Sequence, residues 1–128
     1  MNLIQSSHAG SILLYRRQLN AKTDIQTRLR HTIIYDVRGV LSRELNNVKF
    51  IVTVTCIFEK ALRPGVYSDP PVFFKTSRIA TTHPQPIESI LQDMYEDVWE
   101  QINGYIHNGS GWISCEVLNV EMQVCQLV

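Results

Sequence analysis

An amphipathic helix pattern passes directly into an alternating strand pattern in residues 86–124, PIESILQDMYEDVWEQINGYIHNGSGWISCEVLNVEMQV. At 100° per residue the apolar side chains of the first part fall within one arc, which predicts a helix that ends at about His107. This arc contains Ile87, Ile90, Leu91, Met94, Val98, Ile102 and Tyr105. From Trp112 onward apolar and polar residues alternate, which predicts a long final strand.

The junction between these two patterns is a predicted structural turn. It consists of Asn108, Gly109, Ser110, Gly111 and Trp112. Asparagine and glycine tolerate the positive φ angles with which helices often end. Phosphate-binding loops precede a helix, so that backbone N–H groups point at the anion, whereas these glycines follow one. The turn is therefore predicted to reverse the chain and not to bind a nucleotide.

Two more strands precede this helix. Residues 48–59 alternate most clearly, and residues 72–79 form the second apolar run. The link at 61–71 contains Pro64-Gly65 and Pro70-Pro71, and it is too short for a crossover helix. The two strands are therefore predicted to be antiparallel.

The N-terminal part contains a second amphipathic helix. With Asp24 as N-cap, a helix is predicted to run to about Leu45. Its apolar face consists of Ile25, Leu29, Ile33, Val37, Val40 and Leu41. The β-branched run at 32–34 and Gly39 both lower helix propensity, so a strand at 32–37 is the alternative. Residues 1–23 are left as an N-terminal arm or a short helix.

These patterns predict an α+β fold with the order α-β-β-α-β and about three antiparallel strands packed by two amphipathic helices. A chain of 128 residues with 45% hydrophobic content has one core, and residues 24–128 are expected to form a single domain. The longest apolar runs are far shorter than the ~20 residues that cross a bilayer. The three cysteines are an odd number within apolar runs, which favours an intracellular setting, cytoplasmic or nuclear.

The charge is unevenly distributed along the chain. Residues 1–50 contain eight basic and three acidic residues, whereas residues 51–128 contain four basic and nine acidic ones. The simplest interpretation is that the two halves face each other, within one chain or between two. The alternative is nucleic-acid binding by the N-terminal arginines, with stacking on Phe50 or Phe58. These arginines are Arg16, Arg17, Arg28, Arg30, Arg38 and Arg43.

The sequence predicts neither catalysis nor a metal or cofactor site. Cys56 and Cys115 lie in apolar strands, where a thiol is usually a small buried hydrophobe, so a pair with His107 is not favoured. The four histidines are scattered and no Cys-x-x-Cys pair exists. A solvated helix face accounts for Asp93, Glu96, Asp97 and Glu100. No small-molecule ligand is predicted.

Four short patterns resemble a region found in proteins of eukaryotic Maverick/Polinton-type mobile elements and their adintovirus-like relatives. They are Phe58-Glu59-Lys60, Phe74-Lys75-Thr76, the helix spacing Ile90, Met94, Val98, Ile102, and Gly109-Ser110-Gly111-Trp112-Ile113. The resemblance covers residues 47–128. In those proteins the region often lies upstream of family B DNA polymerase, so the resemblance implies a non-catalytic accessory region and an excised or terminal domain. It carries over no catalytic residue.

The expected function is accordingly a non-catalytic interaction or oligomerisation module, which docks to itself or to a larger polypeptide. The alternative is an accessory domain that binds nucleic acid through the arginines named above. No membrane association is expected.

Overall fold

The computed structural model describes residues 12–21, 23–44, 49–60, 71–81, 84–107 and 115–126. Its strands are β1 (Ile12–Asn20), β2 (Lys49–Lys60), β3 (Val72–Thr81) and β4 (Cys115–Gln126). Its helices are α1 (Ile25–His31), α2 (Arg38–Glu44) and α3 (Pro84–His107), with a π-helical segment (Thr32–Val37) between α1 and α2.

The four strands form one sheet in the order β1-β4-β2-β3, in which every neighbouring pair is antiparallel. The predicted α+β class and the predicted β2–β3 hairpin are therefore confirmed. Because β1 and β2 are both antiparallel to β4, they run in the same direction and are joined by the first helical stretch. By the same reasoning, α3 joins β3 to β4, and β2 lies between those two strands.

The sheet has four strands where about three were predicted, because β1 comes from the segment left as an arm or short helix. A bulge between Leu13 and Tyr15 shifts the β1–β4 register. After this bulge the core face of β1 continues through Tyr15 and Leu19, opposite Met122 and Leu118. A single extra residue thus interrupts the period-two alternation, and the strand is not recognisable without its partner.

The predicted helix over 24–45 is confirmed as the continuous stretch from α1 through the π-helical segment to α2, and the alternative strand at 32–37 is wrong. Ile33 and Val37 are fully buried in the core. Packing of this apolar face outweighs the β propensity of the branched residues. Asp24 does lie at the N-cap position, but with φ 48° and without a side-chain capping bond. Its carbonyl oxygen instead accepts a bond of 3.0 Å from the Arg28 N–H.

Both helical stretches pack on the same face of the sheet. The apolar arc of α3 is buried through Leu91, Met94, Val98 and Ile102, in the same core cluster as the buried residues of β2 and β4, and the strand on which α3 packs most extensively is β3. Near the C-terminal end of α3, the Tyr105 ring lies 6.0 Å from the Phe58 ring of β2 and 5.6 Å from the Phe74 ring of β3. This end of α3 therefore lies over both β2 and β3.

Candidate interaction surface

The opposite face of the sheet carries no helix within the described part of the chain, and we call it the open face. Strand alternation places on it Leu13, Arg16 and Gln18 of β1, Val117, Asn119, Glu121, Gln123 and Cys125 of β4, Ile51, Thr53, Thr55 and Ile57 of β2, and Phe73, Lys75, Ser77 and Ile79 of β3. Antiparallel sheets commonly leave one face without a helical layer, and such faces are then mainly polar. The open face departs from that pattern at β3.

Across β2 and β3 the register divides the open face into rows. The two middle rows are polar: Thr55 lies opposite Lys75, and the Thr53 and Ser77 hydroxyl oxygens are 2.8 Å apart. The two flanking rows are apolar, with Ile57 opposite Phe73 and Ile51 opposite Ile79. Apolar pairs therefore bracket a polar centre.

The outer members of these apolar rows are exposed. Phe73 is 61% exposed and Ile79 is 57% exposed, although both belong to the same edge strand and the same face. A single exposed apolar residue needs no explanation, whereas two large ones on the same face of one edge strand make this edge a candidate contact surface. We call the outer edge of β3 together with Phe73 and Ile79 the β3 edge.

The β3 edge is regular along its length. β3 pairs with β2 through consecutive residues from Val72 to Thr81 without a register shift. Its outward backbone groups therefore form the regular row that an additional strand requires. At the opposite side of the sheet, β1 has the bulge described above and two adjacent arginines, Arg16 and Arg17, which are both features that prevent edge pairing.

A groove of about 720 Å³ follows the β3 edge on its helix side. Its lining includes Phe73 and Phe74 of β3 and Glu100, Gln101 and Gly104 of α3. A Cβ atom at Gly104 would have nothing within 4 Å, so the glycine is not required by packing inside this chain. The Gln101 amide donates a long bond of 3.4 Å to the Lys75 carbonyl and covers that part of the edge only loosely.

Asp97 fastens α3 to β3 directly beside this groove. Its Oδ2 accepts bonds from the Thr76 hydroxyl at 2.7 Å and from Arg78 Nη2 at 3.1 Å. The Thr76 bond, followed by the Arg78 hydrogen bond and charge, holds the pKa of the Asp97 carboxyl below its usual range, although burial opposes this shift. Asp97 keeps a partly solvated side chain, which is 39% exposed, and also bonds β3, a contact that the helix pattern alone does not indicate.

A matching anchor fastens the π-helical segment to β1. Asp36 Oδ2 accepts bonds from the Tyr15 hydroxyl at 2.9 Å and from Arg17 Nη1 at 2.6 Å. The bond to Asp36 raises the pKa of Arg17, and burial raises the pKa of Tyr15, with the Asp36 bond adding to that effect. Each outer strand thus holds one helical stretch through a hydroxyl and an arginine.

A buried polar contact joins β4 to β2 on the open face. Asn119 is fully buried, and its Nδ2 donates to Glu59 Oε1 at 2.7 Å. Its Oδ1 has no hydrogen-bond partner. A buried amide with one satisfied end indicates a structural contact, because buried polar groups are costly unless they are bonded.

The arginines predicted to bind nucleic acid do not form one surface. Arg16 lies 3.4 Å from Glu121 on the open face, and Arg17 binds Asp36 on the helix-covered face. Arg38 pairs with Glu88 of α3. Arg28 and Arg30 are exposed on α1 and form no ion pair within the described residues. The side chain of Arg43 lies outside the described part.

The pairs Arg16–Glu121 and Arg38–Glu88 do join the basic and acidic halves of the chain, as the charge distribution indicated. However, Arg17–Asp36 lies within the basic half and Arg78–Asp97 within the acidic half. Contacts inside one chain therefore account for part of the asymmetry, and they reduce the number of arginines that could meet a phosphate backbone.

Several predicted features fall outside the described residues. The structural turn formed by Asn108, Gly109, Ser110, Gly111 and Trp112 is among them, as are the side chains of His107 and Cys115. Cys56 is fully buried, and burial raises the pKa of its thiol far above neutral. In the described ranges no three histidine, cysteine or acidic side chains cluster as metal ligands would. None of the described helices is long and apolar enough to cross a membrane.

Sequence reasoning missed Asp36, Phe73 and Ile79. Phe73 and Phe74 are adjacent in an almost uniformly apolar run, so the alternation does not reveal which ring is buried. The anchoring roles of Asp36 and Asp97 depend on strands that are distant in sequence, which no local pattern contains.

Comparison with known proteins leaves the family of this chain unassigned. No protein-family model matches the sequence, and neither a curated protein nor a solved structure matches the chain. Function is therefore inferred from the residues and geometry of the surface.

Proposed function

We propose that this domain is a non-catalytic protein-interaction module and that the β3 edge is its contact surface. The observation that carries the proposal is the exposure of Phe73 and Ile79 in two apolar rows of a regular edge strand. An edge of this kind offers main-chain hydrogen bonds for affinity and side-chain positions for specificity, which is the way strands add to sheets in protein recognition.

The energetics favour a protein as the ligand of this edge. Full burial of a large apolar side chain is worth about 1.5 to 3 kcal/mol, so covering the exposed part of Phe73 and Ile79 would contribute roughly 1 to 2 kcal/mol each. Backbone pairing along β3 would add to this. Lys75 is the one charged residue between them on the open face of β3, and a single lysine is a weak attractor for a phosphate backbone.

The resemblance of residues 47–128 to an accessory region of mobile-element proteins agrees with this proposal, because that region implies docking beside a larger polypeptide. It supplies a setting for the domain and no residue of the contact surface. The contact surface is derived from β3 alone.

Photo-crosslinking from the β3 edge tests the proposal. Phe73→benzoylphenylalanine keeps an aromatic side chain at a position that is already exposed, and Leu13→benzoylphenylalanine is the matched control on β1, where the side chain is 47% exposed. In cells that express the full chain, we expect a protein adduct from position 73 and little from position 13. Equal labelling at both positions, or no protein adduct from position 73, would contradict the proposal.

Nucleic-acid binding is the second candidate, and one observation favours it. A depression of about 330 Å³ lies between α1 and α3, and its lining includes Arg30, His31, Tyr35 and Tyr95. Tyr35 is 48% exposed and stacks at an angle on His31, with ring centroids 5.0 Å apart. Cationic and aromatic groups side by side are the features that bind single-stranded nucleic acid.

Salt-dependent retention of labelled single-stranded and double-stranded oligonucleotides tests this second candidate. Arg28→Ala with Arg30→Ala should abolish retention, whereas Arg16→Ala, on the open face and paired with Glu121, should not. If the wild-type chain retains neither probe at low salt, the second candidate is wrong, and the proposal for the β3 edge is unaffected.

A further inference from the structure

We infer that the partner of the β3 edge is a second copy of this chain, and that the two β3 strands pair antiparallel about a two-fold axis at Thr76. This inference rests on the proposed function and specifies its partner. It follows from the order of residues along β3, which is complementary to itself in one register.

A continuous sheet restricts the possible registers. Residues that lie directly opposite each other in an antiparallel pair have their side chains on the same face of the sheet. In a symmetric β3 pair, a residue can therefore lie opposite only a residue whose side chain is on the same face of β3. The two-fold axis must therefore pass through a residue and not between two residues. Phe73 and Ile79 lie three positions before and three positions after Thr76. With the axis at Thr76, each Phe73 lies opposite the second copy's Ile79. The dimer therefore contains two equivalent Phe73–Ile79 pairs, which cover both exposed apolar residues of each copy.

Neighbouring registers are worse. An axis at Lys75 places the two lysines directly opposite each other, and like charges opposite each other in a sheet are destabilising. An axis at Ser77 places Ile79 opposite Lys75 and moves Phe73 to the end of the strand, opposite Thr81. With the axis at Thr76, Lys75 lies opposite Ser77, and residues 72–80 of one copy pair with residues 80–72 of the other. This register has the best apolar match, and its overlap of about nine residues equals that of the Ser77 axis.

This arrangement also brings the two helix layers together at the axis. α3 runs along β3 and packs on it more extensively than on any other described element, with Asp97 bonded to Thr76 and Gln101 bonded to the Lys75 carbonyl. The two-fold axis therefore brings the two α3 helices into contact on the helix side of the joined sheet. Gly104 lies on the groove side of α3, where the lack of a side chain allows a close approach.

Charges on the helix side also fit. The groove contains Asp97 and Glu100, which would approach their counterparts across the axis. Arg78 follows the same edge, and in this register it lies opposite the second copy's Phe74, a residue that lines the same groove. Because the Arg78 guanidinium group bonds Asp97 of its own copy at 3.1 Å, it partly neutralises the carboxylates that approach across the axis. The Gln101 bond to the Lys75 carbonyl, at 3.4 Å, is weak enough to be displaced by strand pairing.

Pairing through β3 closes the assembly at two copies. The contact is isologous, so each copy uses the same edge and no second β3 edge remains. The β1 edges at the ends of the joined sheet carry the bulge and Arg16 and Arg17, which oppose further addition. The expected product is an eight-stranded dimer and not a fibre.

Sedimentation equilibrium of the full chain tests the dimer. We expect the wild-type chain to dimerise, and Phe73→Glu or Ile79→Glu to weaken the dimer at least tenfold. Leu13→Glu is the matched control on β1 and should leave the dimerisation constant within about twofold. Because residues 73 and 79 are exposed, circular dichroism and the melting temperature should confirm that the variants remain folded. A dimer that survives Phe73→Glu and Ile79→Glu would overturn the inference.

Disulfide trapping tests the register. In an equal mixture of Lys75→Cys and Ser77→Cys chains under mild oxidation, we expect a disulfide-linked heterodimer to form at least tenfold faster than a dimer of either variant alone. The wild-type chain provides the background from Cys125, which also lies on the open face. Equal rates in the mixture and in the separate variants would exclude the Thr76 axis.

The outcomes separate this inference from the proposed function. If the wild-type chain is monomeric, and position 73 crosslinks to a different polypeptide, the inference is wrong and the interaction module remains. If the chain is monomeric and position 73 captures no protein, both are wrong.

Discussion

The two edge strands of this sheet are built alike on one face and differently on the other. On the helix side each edge binds an aspartate through a hydroxyl and an arginine, with Asp36 held by β1 and Asp97 held by β3. Away from the helices, the β1 edge has a bulge and the charged Arg16, whereas the β3 edge is regular and carries Phe73 and Ile79.

The comparison separates the contacts that stabilise the single chain from the surface that is proposed to bind a partner. Proteins usually protect their edge strands, because an exposed regular edge pairs with other chains. This domain protects β1 and leaves β3 open, although the same type of anchor fastens a helix to each. The anchors account for the attachment of a helix at each edge. The exposed apolar residues of β3, Phe73 and Ile79, are therefore not explained by the stability of the single chain.

The largest expected effect distinguishes the two faces of β3 itself. Phe74→Ala removes a buried ring that contacts the rings of Phe58 and Tyr105, and it should destabilise the chain by about 3 to 4 kcal/mol. Phe73→Ala, one residue earlier, should change stability by no more than about 0.5 kcal/mol in the monomer, because the ring is exposed. Urea unfolding of both variants at a concentration below dimer formation measures the contrast. Similar losses for the two variants would show that Phe73 supports the fold.

The next effect compares the anchors. Asp36→Ala leaves Tyr15 and Arg17 without their shared acceptor and should cost about 2 kcal/mol. Asp97→Ala should cost about 1 kcal/mol, because the Asp97 side chain is more exposed to solvent than that of Asp36 and its charge is more strongly screened. Denaturant unfolding in low and high salt checks both values, with Asp93→Ala on the exposed face of α3 as the control. A larger loss for Asp97 than for Asp36 would reverse this order.

Local periodic patterns made some of these regions predictable from the sequence, whereas regions that depend on distant partners were not. The helix arcs and the β2 alternation are local periodic patterns, so the class, the hairpin and most core positions could be predicted. β1 could not, since its alternation is interrupted at the bulge and its pairing partner lies about a hundred residues later. The π-helical segment was ambiguous because a branched run at 32–34 favours a strand locally, whereas burial of Ile33 and Val37 favours a helix.

The proposed contact surface could be predicted only in part from the sequence. A strand at 72–79 was predicted, yet the sequence FF at 73–74 does not show which ring faces the core, and that depends on the position of Tyr105 on α3. The arginine cluster was a pattern in sequence that the fold disperses, because alternation along β1 sends Arg16 and Arg17 to opposite faces. A run of charges in the sequence does not show on which face of the fold each side chain lies.

A third effect uses pH to separate the two anchors. The pKa of Asp97 is lowered in the folded chain, so its contribution is complete above the unfolded value of about 3.9 and is lost as pH falls through the lower folded value. The pKa of Tyr15 is raised, so its contribution is complete below about pH 10 and is lost as pH rises through the higher folded value. The stability difference between wild type and Asp97→Asn should therefore shrink in acid, and that for Tyr15→Phe should shrink in alkali.

Both differences are expected to be about 1 kcal/mol at neutral pH, after allowance for partial exposure. Unfolding measured at intervals from pH 3 to pH 11 provides the two curves, and each variant serves as the control for the other at its unaffected end. If both differences shrank at the same end of the range, one of the two anchors would be wrongly assigned.

The smallest effect compares two helix glycines that the single chain does not need. A Cβ atom at Gly39 of α2 or at Gly104 of α3 would have nothing within 4 Å. Alanine at either position should therefore raise the free energy of unfolding by about 0.5 to 1 kcal/mol, as expected for a helix interior.

Only Gly104 lies in the groove beside the β3 edge, so Gly104→Leu should weaken self-association while Gly39→Leu should not. Thermal unfolding and sedimentation of the four variants measure the two properties separately. If leucine at the two positions changed sedimentation equally, the groove would not belong to the contact surface, and the reason for a glycine at 104 would have to be sought within the helix.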